Sequence, residues 1–173
     1  GVLHRDLKPG NVMLGKYGET LVVDWGLAKS VHRLDLAATT DESALVPLSG
    51  SDVQPTEVGA RLGTPAYMSP EQARGELDGL GPHSDVYSLG ATLYYVLTGR
   101  APFTDREFPE LLRKVERGEF PAPRAVRPEI DPALDALCRK AMALAPAERY
   151  EDPRALAEDL ERWLADEPTT AYR

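Results

Sequence analysis

The order of apolar and polar positions divides the chain into a short strand-rich start and a helical remainder. Two brief apolar runs, Val2-Leu3 and Val12–Leu14, flank a polar loop, and a glycine-bounded turn at residues 15–18 precedes the β-branched run Thr20–Val23. This pattern is typical of short strands joined by a hairpin. It predicts a β-hairpin edge whose loops carry the polar residues, which is where functional side chains usually lie.

The remainder of the chain changes from an aperiodic stretch to a helical pattern. Residues from about 31 to 58 are rich in Ala, Ser, Thr, Asp and Pro, which predicts a long mobile loop. A helix from about Asp85 to Leu97, closed by Thr98-Gly99, is apolar on nearly every side and is expected to be the central buried element. Three more helices are predicted at about 105–117, 131–143 and 153–166, the last two begun by Asp131-Pro132 and Asp152-Pro153. The predicted class is mainly α.

Composition narrows the range of functions. A chain of 173 residues can bury a real core, and its net charge of −8 argues against a nucleic-acid surface. Cys138, the single cysteine, falls in an apolar helical pattern and is expected in the core. Since no apolar run reaches the length of a membrane span and no signal peptide is seen, a cytoplasmic chain is expected, with an anchor in a longer parent protein left open. An acidic run near the last helix is expected to be a solvated face: Glu151, Asp152, Glu158, Asp159, Glu161, Asp166, Glu167.

The strongest chemical signal lies at the start of the chain. The loop reads His4-Arg5-Asp6-Leu7-Lys8-Pro9-Gly10-Asn11, and thirteen residues after Asn11 comes Asp24-Trp25-Gly26. These two segments resemble the catalytic loop and the metal-binding loop of protein kinases. The resemblance implies that Asp6 accepts or orients the proton of the substrate hydroxyl, and that Lys8 neutralises the γ-phosphate. It further implies that Asn11 and Asp24 hold Mg²⁺, with Mn²⁺ as a substitute.

Other residues of the same region have roles implied by the resemblance. Lys8, Asn11 and Asp24 contact ATP, and Met13 stands where the family has the floor of the adenine pocket. His4 and Gly26 are structural, and Trp25 replaces the usual Phe of the metal-binding loop.

A second segment resembles the substrate-binding end of the kinase activation segment, which here would span residues 24–71. It reads Gly63-Thr64-Pro65-Ala66-Tyr67-Met68-Ser69-Pro70-Glu71, with Ser69 where Ala is usual. By resemblance Thr64 bonds toward Asp6 and Lys8, and these features are similar to the serine/threonine class. The string from Tyr67 to Ala73 looks most like bacterial kinases of the eukaryotic type.

Two distant residues complete the resemblance. Asp85 is implied to hold the backbone around His4 and Arg5, although a plain helix N-cap is an open alternative. Arg149 is implied to pair with Glu71 and so to support the substrate-binding end of the activation segment from its inner side.

Regulation is expected to involve Arg5 and an activating phosphothreonine. Thr56 lies eight residues before Thr64 and is the preferred phosphosite, with Arg5 as its reader. Thr39 and Thr40 are weaker candidates, and a simple linker role is favoured for both.

Taken over the chain, the resemblance implies a serine/threonine protein kinase that transfers the γ-phosphate of ATP to hydroxyls of protein substrates. It covers only the family's C-terminal lobe, because the 173 residues contain no glycine-rich loop and no strand lysine with a glutamate partner. Residues 1–167 are expected to form this partial domain and 168–173 a tail. The isolated chain is expected to be inactive and to need the N-terminal lobe of a parent chain. A non-catalytic module that binds proteins through its helical platform is the alternative.

Overall fold

The computed structural model of the protein describes residues 1–30 and 65–172. The predicted mobile loop at 31–58 lies outside the described residues, as do Thr39, Thr40, Thr56 and Thr64. Expectations for these positions therefore remain predictions.

Four short strands form two antiparallel pairs at the start of the chain. β1 (Val2–Leu3) pairs with β4 (Lys29–Ser30), and β2 (Val12–Leu14) pairs with β3 (Thr20–Val22). The turn between β2 and β3 is closed by the bond from Gly15 N to Glu19 O at 2.8 Å, and Gly18 takes a positive φ of 90°. The predicted hairpin is confirmed, with its second strand one residue shorter than expected.

The described part of the chain is otherwise helical, as predicted. Its α-helices are α1 (Pro70–Ala73), α2 (Pro82–Thr98), α3 (Phe108–Arg117), α4 (Pro123–Val126), α5 (Pro132–Ala141) and α6 (Pro153–Leu164). Short 3₁₀ turns lie at Pro9–Asn11, Trp25–Leu27, Pro65–Tyr67, Leu77–Gly79 and Pro146–Glu148. None of the helices in residues 1–30 and 65–172 is long and apolar enough to cross a bilayer.

Helix α2 is the centre of the core over most of its length. Tyr87, Ala91 and Tyr94 are fully buried, and α5 contributes the buried Cys138. The last turn differs, because Val96 is 70% exposed. The predicted burial is thus confirmed for the first turns of α2 and is wrong for its end.

Helix boundaries differ from the prediction where local polar contacts intervene. α2 begins three residues before Asp85, because Pro82 suits the first helical position and Ser84 Oγ accepts the bond from Gly81 N at 3.2 Å. α3 begins three residues later than expected, with Pro109 in its first turn, where the missing N–H of proline is tolerated. Asp105 lies outside the helix and binds Lys114 Nζ at 2.6 Å.

The predicted N-caps of α5 and α6 are present. Asp131 accepts a bond from Ala133 N at 2.7 Å, and Asp152 accepts one from Ala155 N at 2.9 Å. α5 ends at Ala141, two residues earlier than predicted.

Asp159 corrects the predicted solvated face of α6. Its neighbours Glu158 and Glu161 are exposed, but Asp159 is only 1% exposed. Its carboxylate accepts hydrogen bonds from Tyr150 and from the segment that follows α6. A carboxylate with several donors can be buried, whereas charge pattern alone predicted exposure.

Candidate functional site

The residues of the predicted catalytic loop converge on the carboxylate of Asp6. Lys8 Nζ lies 2.8 Å from Asp6 Oδ2. Asn11 Nδ2 donates to the same Oδ2 at 3.1 Å and to the Asp6 carbonyl at 2.8 Å. The 3₁₀ turn brings Asn11 back toward Asp6, since Asn11 N donates to Lys8 O at 2.9 Å. Among the described residues no group bonds to Asp6 Oδ1, so one carboxylate oxygen can accept a hydroxyl proton.

His4 connects the catalytic loop with the segment leading to Asp24. Its Nε2 lies 3.0 Å from the Val23 carbonyl, and its Nδ1 accepts a bond from Asp6 N at 3.3 Å. Because a carbonyl only accepts, the proton is assigned to Nε2. The ring is 3% exposed and packs against the Trp25 ring at 4.7 Å. His4 thus fixes the spacing of the two loops without facing solvent.

Asp85 holds the backbone of the catalytic loop at its sharpest point. Its two carboxylate oxygens accept bonds from His4 N at 2.8 Å and Arg5 N at 2.9 Å. Arg5 has a φ of 66°, a left-handed conformation that costs a non-glycine residue on the order of 1–3 kcal/mol. The contact predicted by resemblance is present. The alternative N-cap role is wrong, because Asp85 lies in the fourth position of α2 and Gly81 is the N-cap.

Gln72 is a positioning residue that the sequence pattern did not indicate. Its Nε2 donates to the Arg5 carbonyl at 2.8 Å, and its Oε1 accepts a bond from Ser69 N at 3.1 Å. The Ser-x-x-Gln spacing of a capping box was visible in the sequence and marked the start of α1. The reach of the amide to Arg5 depends on tertiary packing.

The side chain of Arg5 bonds to the metal-binding loop. Its Nε donates to the Leu27 carbonyl, and no other bond of the guanidinium is formed within the described residues. Thr56, its predicted partner, lies outside those residues.

Asn11 and Asp24, the predicted metal ligands, lie on two segments that a backbone hydrogen bond joins. Val23 N donates to Asn11 O at 2.9 Å, which places Asn11 next to the residue preceding Asp24. Since the amide nitrogen of Asn11 is used by Asp6, its Oδ1 remains for a cation. The Asp24 carboxylate makes no hydrogen bond to any described residue, and its φ of 63° turns the chain into the 3₁₀ turn at Trp25–Leu27.

This donor set fits magnesium bound together with phosphate. One carboxylate and one amide oxygen are ligands that Mg²⁺ accepts when water and phosphate oxygens complete its octahedron. Within residues 1–30 and 65–172 no group of three His, Cys, Asp or Glu side chains converges, so these residues offer no cage made of such side chains alone.

The remaining predicted residues of the nucleotide side lie at the surface. Met13 on β2 is 57% exposed, and its cross-strand partner Leu21 is 58% exposed. Trp25 is 52% exposed, although its Nε1 donates to Val22 O at 2.9 Å. Gly26 lies in the 3₁₀ turn beside Asp24. Thr64 is outside the described residues.

Glu71 and Arg149 form the predicted pair, buried beneath α1. Two parallel bonds of 2.7 and 2.8 Å join the guanidinium to the carboxylate, and Ser84 Oγ donates to Glu71 at 2.9 Å. The residues are only 3% and 5% exposed. Burial alone would raise the pKa of the Glu71 carboxyl, but the bonds and charge of Arg149 hold that pKa below its usual value.

Comparison with known proteins identifies the family. The protein kinase domain family matches residues 1–160. The chain is 38% identical over 169 residues to the serine/threonine-protein kinase PknD of Protochlamydia amoebophila, covering 95% of this chain and 16% of that protein. It is 38% identical over 172 residues to PknB of Mycobacterium tuberculosis, covering 99% of this chain and 24% of that protein.

A third relative, PknD of Chlamydia pneumoniae, is 35% identical over 170 residues, with 97% of this chain and 18% of that protein covered. The chain therefore spans about a quarter or less of the length of these relatives. Because the family match covers most of the chain, including the two predicted loops and the buried Glu71–Arg149 pair, the chain belongs to the protein kinase domain family.

Proposed function

We propose that this chain is the C-terminal lobe of a serine/threonine protein kinase that transfers the γ-phosphate of ATP to hydroxyls of protein substrates. The observation that carries the proposal is the arrangement around Asp6. Its carboxylate is held at one oxygen by Lys8 and Asn11, 2.8 and 3.1 Å away, while the other oxygen is free of bonds from the described residues. The serine/threonine kinases among the relatives support the acceptor class.

Each residue of the site has a distinct task in this mechanism. Asp6 accepts a hydrogen bond from the acceptor hydroxyl and takes its proton as the new P–O bond forms. Lys8 places a positive charge beside that carboxylate and faces the transferred phosphoryl group. Asn11 and Asp24 would hold Mg²⁺, or Mn²⁺ in its place, and the bound metal neutralises charge on the phosphates. His4 and Asp85 keep these groups in place through hydrogen bonds to backbone atoms of Val23, His4 and Arg5.

The proposal also covers the surface that would bind the protein substrate and the phosphorylation that would regulate the kinase. Glu71 and Arg149 would fix the end of the activation segment against α2, so that a protein substrate meets a rigid surface. Thr64 would bond toward Asp6, and phosphorylated Thr56 would bind the Arg5 guanidinium. Phosphopeptide mapping of the active full-length protein tests the last point, since an unmodified Thr56 in active protein contradicts it.

We also propose that the 173 residues alone do not transfer phosphate. Met13 and Leu21 are more than half exposed where an adenine ring would need a second wall. The sequence contains no glycine-rich loop to cover the phosphates. An N-terminal lobe of a parent chain would supply both.

The decisive experiment measures the transfer of labelled phosphate from ATP to a protein substrate. It compares the full-length protein with its Asp6→Asn variant. Loss of the proton acceptor should lower the rate by about 10² to 10⁴-fold. Asp78→Asn is the matched control, because Asp78 is an exposed acid in the Leu77–Gly79 turn and should leave the rate unchanged. Undiminished transfer by Asp6→Asn contradicts the assignment, and protein binding without transfer by any form favours a non-catalytic binding module.

The isolated chain is tested in the same assay. Transfer by the 173-residue chain that disappears in Asp6→Asn would disprove its predicted inactivity while leaving the assignment of the site intact.

A further inference from the structure

A second polar cluster lies on α6, among residues that the catalytic assignment does not use. Its centre is Asp159, which is 1% exposed. Tyr150 Oη donates to Asp159 Oδ2 at 2.8 Å. The backbone N–H groups of Thr170 and Ala171 donate to the two carboxylate oxygens, and Thr170 Oγ1 donates to Oδ2 at 2.8 Å.

Three of these four bonds come from the segment that follows α6. Residues 169–172, here called the C-terminal segment, are therefore joined to α6 by hydrogen bonds to Asp159, and Ala171 also packs against the core cluster that contains Leu156. If the segment leaves, Tyr150 is the sole remaining donor among the described residues, and a buried carboxylate with one partner is unfavourable. Burial tends to raise the pKa of Asp159, but the bonds from Thr170 and Tyr150 keep that pKa below its usual value, so the attached carboxylate is an anion at neutral pH.

The two adjacent threonines differ in a way that selects one of them. Thr169 is 4% exposed, and its hydroxyl bonds within the segment to the backbone of Tyr172. Thr170 is exposed, and its hydroxyl joins the segment to Asp159. Lys140 Nζ lies 3.0 Å from the same oxygen. The Thr170 hydroxyl is thus both accessible and essential to one of the attaching bonds.

The space around Thr170 is large enough for a phosphoryl group but is not positively charged. A cavity of about 210 Å³ opens beside it. Its lining includes the cations Lys140, Arg149 and Arg162, facing Glu151, Glu158 and Asp159. Because Arg149 is already paired with Glu71, the other lining charges sum to −1.

We propose that Thr170 is a phosphorylation site and that its modification releases the C-terminal segment from α6. A protein kinase would join the γ-phosphorus of a nucleoside triphosphate to Thr170 Oγ1, with loss of the hydroxyl proton and departure of the nucleoside diphosphate. The esterified oxygen can no longer donate to Asp159, and a phosphate carrying nearly two negative charges lies against the buried carboxylate. Lys140 and Arg162 are the lining cations besides the paired Arg149, and they already face Glu151 and Glu158 as well as Asp159, so they cannot balance the added phosphate. The inference does not depend on catalysis by this chain.

The test places phosphothreonine at position 170 of the full chain by genetic encoding and measures amide hydrogen exchange. The Thr170 and Ala171 amides should exchange at least about tenfold faster in the phosphorylated protein, because both donate to Asp159. Thr170→Ser keeps the donor and should exchange as the parent does. The amide of Leu160, inside α6, reports whether the lobe remains folded.

Faster exchange at both amides with Leu160 unchanged supports release, whereas equal or slower exchange overturns it and indicates that Lys140 holds the phosphate in place. If the phosphorylated protein does not fold, Thr170→Val is measured instead, and unchanged protection at Ala171 overturns the role of the hydroxyl. Mass spectrometry of the protein from its native cells should find phosphate on Thr170 and none on Thr169; absence from Thr170 refutes the modification.

Discussion

Removal of the Arg149 guanidinium should destabilise the fold more than loss of any exposed ion pair. In Arg149→Met, the Glu71 carboxylate stays buried and keeps only the Ser84 hydroxyl among its side-chain donors. The carbonyls of His83, Ala143 and Leu144 also lose the bonds of 3.0, 2.8 and 3.1 Å that Arg149 donates. Breaking a buried pair from one side typically costs about 3–5 kcal/mol. Since small domains have a free energy of unfolding of about 5–15 kcal/mol, a large share would be lost.

Urea unfolding followed by circular dichroism measures this free energy. Arg113→Met is the matched control, because Arg113 makes an equally short bond of 2.6 Å to Glu110 but both side chains are about 40% exposed. The control should leave the urea midpoint nearly unchanged. The double variant Glu71→Gln with Arg149→Met should be more stable than Arg149→Met alone, because the uncompensated buried charge is gone. A midpoint for Arg149→Met as high as that of Arg113→Met would refute the reasoning.

The same pair predicts a pH dependence of stability. The pKa of Glu71 is lowered in the folded protein, so on acidification the unfolded chain takes up the proton first. The stabilisation is complete above the unfolded pKa of about 4.3 and is lost as the pH falls through the lower folded pKa. In Arg149→Met, the free energy of unfolding should fall less steeply as the pH is lowered. An unchanged pH dependence would contradict the assignment of this effect to the Glu71–Arg149 pair.

Three further predictions concern the core and the catalytic loop. Gly90→Ala should lower the free energy of unfolding by about 1–3 kcal/mol despite better helix propensity, because the new Cβ would lie 2.8 Å from Ala141 Cβ and Met142 Cγ; calorimetry showing stabilisation would contradict this. Cys138 should resist iodoacetamide in the native protein and react on unfolding, because burial raises the pKa of its thiol; rapid native labelling, followed by mass spectrometry, would be inconsistent with that burial. Asp85→Ala should increase amide exchange at the two catalytic-loop residues bonded to its carboxylate by about tenfold or more, while unchanged protection would show that the carboxylate is dispensable.

The local pattern of residue types predicted which helices and strands form better than it predicted where each of them begins and ends. The Asp-Pro pairs at 131 and 152 marked helix starts correctly, because a carboxylate cap and a proline act within one turn. The start of α3 was predicted three residues too early, at a position without a capping bond, although Pro109 was a local signal for a first turn beginning at Phe108.

Burial of individual polar side chains was harder to predict. Asp159 lies in a run of acids and was expected in solvent, yet it is one of the most buried residues of α6. Its donors include backbone groups from residues 170 and 171, and no pattern of side-chain types reports where a backbone N–H will point. Gln72 was missed for a related reason, since its capping spacing was readable but its second bond to Arg5 was not.

The spacing of residues along the chain predicted which side chains of the candidate site meet. Asp6, Lys8 and Asn11 bond to one another within five positions of the chain, so their spacing nearly specifies their contact. The resemblance to protein kinases predicted two long-range partners, Asp85 for His4 across 81 positions and Arg149 for Glu71 across 78. The bond from Gln72 to the Arg5 carbonyl, across 67 positions, became visible only in the folded chain. A buried polar group needs a hydrogen-bond partner, and packing can bring that partner from a distant part of the sequence. Local spacing constrains only neighbours along the chain.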